Sequence, residues 1–272
     1  MSVRPLSGRV ALVTGANHGI GAATAVALGE LGADVALAYW LLSNDDDDPG
    51  RPPEYARFRR QGPDATVSSV IAAGGAAHAV EADLSDPVAP AHLFDEVEHV
   101  FGPVAILVHN ASGWRKDTFT PEAADRFDRR TERVNAASFD TQFHVDARAG
   151  ALLIAEFATR HRDRHADWGR VVSLTSGGPN GFPGEVSYGA AKAALENYTM
   201  SAAIELAPMG ITANVVYPAV TDTGWVTDDV RRFVAESDEH VHVATAREVA
   251  AVIAWLCTDE AFLVTGNIIR LR

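Results

Sequence analysis

The sequence predicts an α/β fold: a single domain built on a doubly wound sheet of seven parallel strands, with helices on both faces. Two observations carry this. Short apolar, β-rich runs alternate with longer segments of helical period along the whole chain, which is the signature of repeated strand–helix–strand units. Right-handed crossovers between such units produce a doubly wound sheet, and no internal repeat points elsewhere. With 272 residues, 47% hydrophobic and 22% charged, the chain has ordinary globular proportions and fits one domain over 1–272.

The strands fall in order at residues 10–13, 34–39, 77–81, 104–109, 170–175, 211–217 and 267–271, each a run of mostly Val, Ile, Leu and Ala. Helical period fills 20–31, 64–73, 88–101, 139–164, 187–207, 227–239 and 246–256; in the first, Ile20, Ala23, Ala27 and Leu31 share one face. Two stretches break the rhythm. Residues 42–63, with prolines and the acidic run from Asp45 to Asp48, read as an exposed loop; residues 113–135 are rich in charge and weakly periodic. Both are expected as insertions at the domain edge, and 224–240 as a mobile lid.

A formal net charge of −13 argues against a nucleic-acid partner, because phosphate backbones are met by clustered Lys and Arg. Cys257 is the only cysteine, so no disulfide and no thiolate metal cluster can form within the chain, which suits a reducing cytoplasm. The start lacks a secretory signal, and no uncharged apolar run approaches the roughly 20 residues of a membrane span. His161 and His165, four apart, stand among arginines as a solvated face, and His240 and His242 lack a third ligand; no metal is assigned.

Between the first strand and first helix lies Thr14-Gly15-Ala16-Asn17-His18-Gly19-Ile20-Gly21. Its glycines let the backbone turn sharply and approach a ligand, while free N–H groups at the helix start attract a pyrophosphate. Tyr188 and Lys192 are four apart in a helix-forming stretch and project from one face. An ammonium beside a phenol favours phenolate, which makes Tyr188 an acid or base usable near neutral pH. With five tyrosines and two lysines, such a pair arises by chance about 0.04 times. Ser176 emerges at the carboxyl end of the fifth strand, where open sheets bind ligands, and is placed to donate to a carbonyl oxygen. Thr175 competes for that role.

The spacing T-G-x-x-x-G-x-G, the Tyr188/Lys192 pair and the hydroxyl before it resemble the short-chain dehydrogenase/reductase family, similar to its 3-oxoacyl-carrier-protein reductase branch, over nearly the whole chain. The resemblance implies a Rossmann-like fold and an NAD(P)-dependent oxidoreductase acting on a ketone/secondary alcohol pair, possible 3-oxoacyl substrates included. In it serine orients the carbonyl, tyrosine moves the proton, lysine lowers the tyrosine pKa and holds the nicotinamide ribose, and hydride passes from or to the nicotinamide. It also implies cofactor contacts at Gly15, Asn17, His18, Gly19, Ile20, Gly21 and Tyr39, and at Asp83-Leu84 after the third strand. Asn110-Ala111, within His-Asn-Ala-Ser after the fourth strand, and Pro218, Val220, Thr221 and Thr223 after the sixth complete the set, with Tyr188 and Lys192. Homodimers or homotetramers are expected, joined through helices such as 187–207, whose face of Ala191, Leu195, Tyr198, Ala202 and Leu206 packs inside the domain or against a second subunit.

The chain departs from the family in three places. Where relatives carry an asparagine, Asp146 aligns best, with Asn135 the alternative. A carboxylate at that place, about 6 Å from Tyr188, opposes its ionisation by about 3 kcal/mol at an effective dielectric near 20, while holding Lys192 charged. The second strand ends in Tyr39-Trp40 without the acidic residue that binds the ribose of NAD, which tilts the choice toward NADP(H). His18, Arg51, Arg57, Arg59 and Arg60 stand ready for a 2′-phosphate; Asp45 to Asp48 would oppose one at close range. The C-terminus also stops short of the D-G-G that often follows in relatives. Trp114, Phe182 and Trp225 are candidate walls for a partly apolar substrate or packing residues. Beside the enzyme stands a second reading, a regulatory or sensor protein of the same fold that binds NAD(P) without turnover.

Overall fold

The computed structural model describes residues 4–41, 52–120, 124–125, 127–177 and 180–272. The acidic run Asp45 to Asp48 and Arg51 lie outside the described residues. The chain runs β1 (Val10–Thr14), α1 (Gly19–Glu30), β2 (Asp34–Tyr39), α2 (Pro53–Arg59), α3 (Asp64–Ala72), β3 (Ala77–Glu81), α4 (Ala89–Phe101) and β4 (Val104–His109). It continues through α5 (Ala136–Gln142), α6 (Ala149–Asp163), β5 (Gly169–Leu174), α7 (Val186–Glu205), β6 (Ile211–Tyr217), α8 (Asp228–Ala235), α9 (Ala246–Leu256) and β7 (Ile268–Arg270). The seven strands form one sheet in the order β3-β2-β1-β4-β5-β6-β7, with every neighbouring pair parallel. This is the seven-stranded α/β fold expected from the alternation.

Strands β1, β4 and β5 are buried along their whole length, so β1 and β4 read as apolar runs up to their last residue rather than as alternating ones. Alternation survives in which face each residue serves. Ala11 and Val13 join Ala25, Leu28 and Ile253 under α1 and α9, whereas Val10 and Leu12 join Phe94, Leu153 and Phe157 under α4 and α6. Chain order reverses between β1 and β4, so a crevice opens beyond their carboxyl ends.

The sequence-predicted helix over 139–164 is divided by a π-helical stretch, Phe143–Arg148. The wider turn has an anchor: buried His109, at the end of β4, meets the Asp146 carbonyl at 3.3 Å. On α7, Ala191, Leu195, Ala202 and Leu206 are buried within the domain, while Tyr198 is exposed. Among the described residues no helix is long and apolar enough to cross a membrane.

The described parts of both irregular stretches are more ordered than their composition suggests. Within 42–63, residues 53–59 form a helix starting at a proline, which is favoured at the first helical position because its missing N–H would be unpaired there anyway. Within 113–135, Trp114, Lys116, Asp117 and Thr118 are buried. The charges in this stretch are paired inside: Lys116 with Asp125, and Arg129 with Asp125 at 2.8 Å and Glu185 at 3.2 Å. Asp117 accepts from the Ser187 backbone N–H at 2.8 Å and from the Ser138 hydroxyl at 2.8 Å, tying this stretch to the start of α7.

Candidate active site

The turn between β1 and α1 is held by backbone-to-backbone packing that only glycine permits. A β-carbon on Gly21 would lie 2.2 Å from the Gly15 oxygen, and one on Gly15, at φ +63°, would lie 2.9 Å from Ala111 Cα. The Asn110 side-chain amide donates to the Thr14 and Gly15 carbonyls at 3.1 and 3.0 Å, fixing this turn to the end of β4. The Thr14 hydroxyl accepts from the Asn110 and Ala111 backbone N–H groups, both at 3.0 Å, so its proton goes to His109 Nδ1 at 3.1 Å. His109 therefore carries its proton on Nε2 and donates it to Asp146. Burial, aided by Lys192, pushes the His109 pKa down to about 4, so the ring stays neutral in this relay.

One cleft of about 1490 Å³ lies beyond the strand ends. It is lined by Gly15, Asn17, His18, Gly19, Ile20, Tyr39, Asp83, Leu84, Asn110, Ala111, Ser176, Tyr188, Lys192, Pro218, Val220, Thr221 and Thr223, together with Trp114, Phe182 and Trp225. Gly21 and Asp146 stand behind this lining: the first supports the turn and the second grips Lys192. The cleft accommodates a dinucleotide in the way its parts suggest. A glycine turn at a helix N-terminus leaves N–H donors for phosphates, Gly19 is close enough to Thr223 that a β-carbon would sit 3.0 Å from its methyl, and no carboxylate ends β2. His18 is also kept neutral, its pKa pushed down to about 4 by burial and by nearby Arg59.

At the floor, Ser176 and Tyr188 line the cleft together, and Ser176 stands near enough to the phenol to oppose the rise in its pKa. Thr175 faces away, donating to Glu196 Oε1 at 2.6 Å. Of the two hydroxyls left open by the sequence, that of Thr175 is engaged by Glu196, and Ser176 is the one beside Tyr188. Replacing Ser176 with Ala is expected to lower kcat/KM for carbonyl reduction by about 10²-fold, the usual cost of losing one donor to a developing oxyanion, while Thr175→Ala costs less than about threefold. Steady-state rates of the two variants check this.

Lys192 is buried, forms an ion pair with Asp146 at 2.8 Å and donates to the Leu174 carbonyl at 2.9 Å. The other Asp146 oxygen accepts from the Gly113 N–H at 2.9 Å and the Ser112 hydroxyl at 3.3 Å. Asn135, the alternative to Asp146, is instead the cap of α5 and accepts from Ser138 N. The pairing changes one expectation. Lys192 lies 5.6 Å from the Tyr188 ring centre, but Asp146 offsets its charge. Burial first, then Asp146, Glu185 and Tyr55, push the Tyr188 phenol well above its ordinary value, and Ser176 opposes them only in part. The phenol is held protonated rather than eased toward phenolate.

Sequence reasoning passed over Tyr55, Phe127 and Glu185, which also line the cleft, reached Phe233 and His240 only through the expected lid, and named Arg59 only as a phosphate candidate. The Tyr55–Phe58 pair at helical spacing after Pro53 was the one local signal. Nothing local marks Glu185, whose carboxylate accepts from Trp114 Nε1 at 2.7 Å.

A parallel sheet whose strand order reverses beside a glycine turn, with tyrosine, lysine and serine gathered at its mouth, defines a nicotinamide-dependent oxidoreductase. The family profile described as enoyl-(acyl carrier protein) reductase matches residues 55–271. The chain is 31% identical to the uncharacterized oxidoreductase YjdA of Bacillus subtilis (strain 168), over 96% of this chain and 94% of the relative. It is 32% identical to versicolorin reductase 1 of Aspergillus parasiticus, over 97% and 95%. Among solved structures, a short-chain dehydrogenase from Burkholderia cenocepacia J2315 in complex with NADP superposes with a TM-score of 0.76 at 30% identity, covering 98% of this chain and 97% of that one. The chain belongs to the short-chain dehydrogenase/reductase family, whose members act on CH–OH/C=O pairs with NAD(P).

Proposed function

We propose that this enzyme reduces ketones to secondary alcohols, with Tyr188 as proton donor and Ser176 as the donor that orients the carbonyl oxygen. The observation that carries this is a phenol held in its protonated form beside Ser176 at the floor of the cleft. Bound nicotinamide supplies the hydride. The substrate oxygen accepts from both hydroxyls, and as negative charge grows on it the Tyr188 proton moves across. Lys192, braced by Asp146 and the Leu174 carbonyl, is the fixed cation beside this transfer and is available to the nicotinamide ribose. Gly15, Asn17, His18, Gly19 and Ile20 bind the phosphates, Asp83 and Leu84 border the adenine, and Asn110, Ala111, Pro218, Val220, Thr221 and Thr223 hold the remainder.

The preferred cofactor is NADP(H). Support comes from the missing acidic residue after β2 and from Arg59 beside His18. Trp114, Phe182 and Trp225 form substrate walls, and 224–240 covers them. The same proposal includes a cytoplasmic homo-oligomer: Tyr198 and Ile204 are exposed on α7, and Cys257 is buried with its thiol pushed up to about 12.

The test is a titration with NADPH and NADH, followed by loss of reduced-nicotinamide absorbance with a panel of ketones and β-ketoesters, 3-oxoacyl thioesters among them. Tighter binding of NADPH and turnover of at least one ketone are expected. Binding without turnover of any would favour the sensor instead.

A further inference from the structure

Helix α2 has no part in the proton-transfer chemistry, yet it touches three of the segments from which the site is built. The Gln61 carbonyl, just past its end, accepts from Asn17 in the glycine turn at 2.9 Å. The Arg59 guanidinium donates to the Ser112 carbonyl beyond β4 at 3.3 Å. The Tyr55 ring meets His18 edge-on at 6.0 Å and Trp114 at 5.3 Å, with an interplanar angle of 82° to the latter. On the third side Gly224, at φ +95°, lies so close that a β-carbon would come within 2.6 Å of the Phe58 ring and 3.2 Å of the Tyr55 nitrogen.

These anchors stand beyond the carboxyl ends of β1, β4 and β6, so α2 leaves the β2 edge and crosses the mouth of the sheet. The crossover from β2 to β3 does not need it, because α3 already packs against β3. Seven residues are too few for a helix that is stable by itself, so its contacts with the site hold it in place. Tyr55 is near enough to Tyr188 to oppose its ionisation.

Resting on the carbonyl-reduction reading above, we propose that α2 is a cap over the substrate end of the cleft and that Tyr55, braced by Trp114, is a specificity-determining residue selecting carbonyl compounds with an aromatic ring beside the carbonyl. Trp114 is almost fully buried, whereas Tyr55 is half-buried and faces the cleft, so Tyr55 presents the ring that a flat substrate meets. Offset or edge-on ring contacts reward such a substrate beyond plain apolar burial.

The experiment uses the full chain, NADPH, and two esters, ethyl benzoylacetate and ethyl acetoacetate. Tyr55→Ala is expected to lower kcat/KM about three- to tenfold for the aromatic ester and less than about twofold for the aliphatic one. An equal change for both, or none, overturns the assignment of Tyr55. The seat of the cap is read without turnover. A fluorophore is placed on Arg57→Cys, where buried Cys257 does not compete, and its anisotropy is compared with and without Gly224→Ala. The added methyl pushes Phe58 off its seat, so anisotropy is expected to fall; an unchanged value overturns the cap. If neither ester is reduced, the assignment of Tyr55 is overturned, the wider ketone panel decides the carbonyl-reduction reading, and the anisotropy still decides where α2 sits.

Discussion

Replacing Tyr188 with Phe is expected to lower kcat for ketone reduction by about 10³-fold, while NADPH binds within about threefold of the parent affinity. The expectation follows from what the phenol does and does not do. Its ring is part of a packed floor, 6.0 Å from the Phe182 ring, and Phe keeps that contact. Only the hydroxyl is lost, and with it the proton donor beside Ser176. In the proposed function cofactor binding rests chiefly on the glycine turn, Asn110 and the segment from Pro218 to Thr223, none of which the substitution alters. Rapid mixing with saturating ketone, beside a fluorescence titration with NADPH, separates the two quantities. A variant that turns over at the parent rate would remove Tyr188 from the mechanism; one that no longer binds NADPH would give it a structural role instead.

The second large effect is expected at Asp146, and two substitutions divide it. Asp146→Leu leaves the buried Lys192 ammonium without its counter-ion, and breaking such a pair typically costs about 3–5 kcal/mol, or on the order of 10 °C in Tm for a chain of this size. Asp146→Asn keeps an acceptor for the Gly113 N–H and loses less stability, so it isolates the charge. Without the carboxylate the Tyr188 pKa falls, because one of the groups raising it is gone. The sign follows from the protonation states: reduction needs the phenol protonated, so its rate is flat through neutral pH and declines as pH rises through the folded pKa. Asp146→Asn moves that decline to lower pH, and alcohol oxidation, which needs phenolate, gains at a given pH. Profiles of log kcat/KM against pH in both directions check this. A decline that stays in place or moves upward would show that Asp146 does not act on Tyr188.

What could be read from the sequence was what depends on near neighbours along the chain. The glycine turn, the four-residue step from Tyr188 to Lys192 and the hydroxyl at the end of β5 are local patterns, and the alternation of strands and helices needs only periodicity. The remainder depended on contacts between distant segments. Lys116 is buried because Asp125 folds back onto it, and Arg129 is drawn in because Asp125 and Glu185 receive it, so composition alone read that stretch as an insertion at the domain edge. The π-helical stretch has its anchor in His109, and the protonated state of Tyr188 has its cause in burial with Asp146 offsetting Lys192. Helix α2 is short and bears charge at Glu54, Arg57 and Arg59; only the folded chain shows that its tyrosine turns inward.

The most direct test follows the transferred hydrogen itself. The enzyme is incubated with a ketone and NADPH carrying deuterium at both C4 positions, and the product alcohol is examined by NMR. Deuterium at the carbinol carbon with the parent enzyme, and almost none over the same interval with Tyr188→Phe, is the predicted result. NADPH that binds but passes deuterium to no carbonyl compound, or passes it equally well without the phenol, would contradict it.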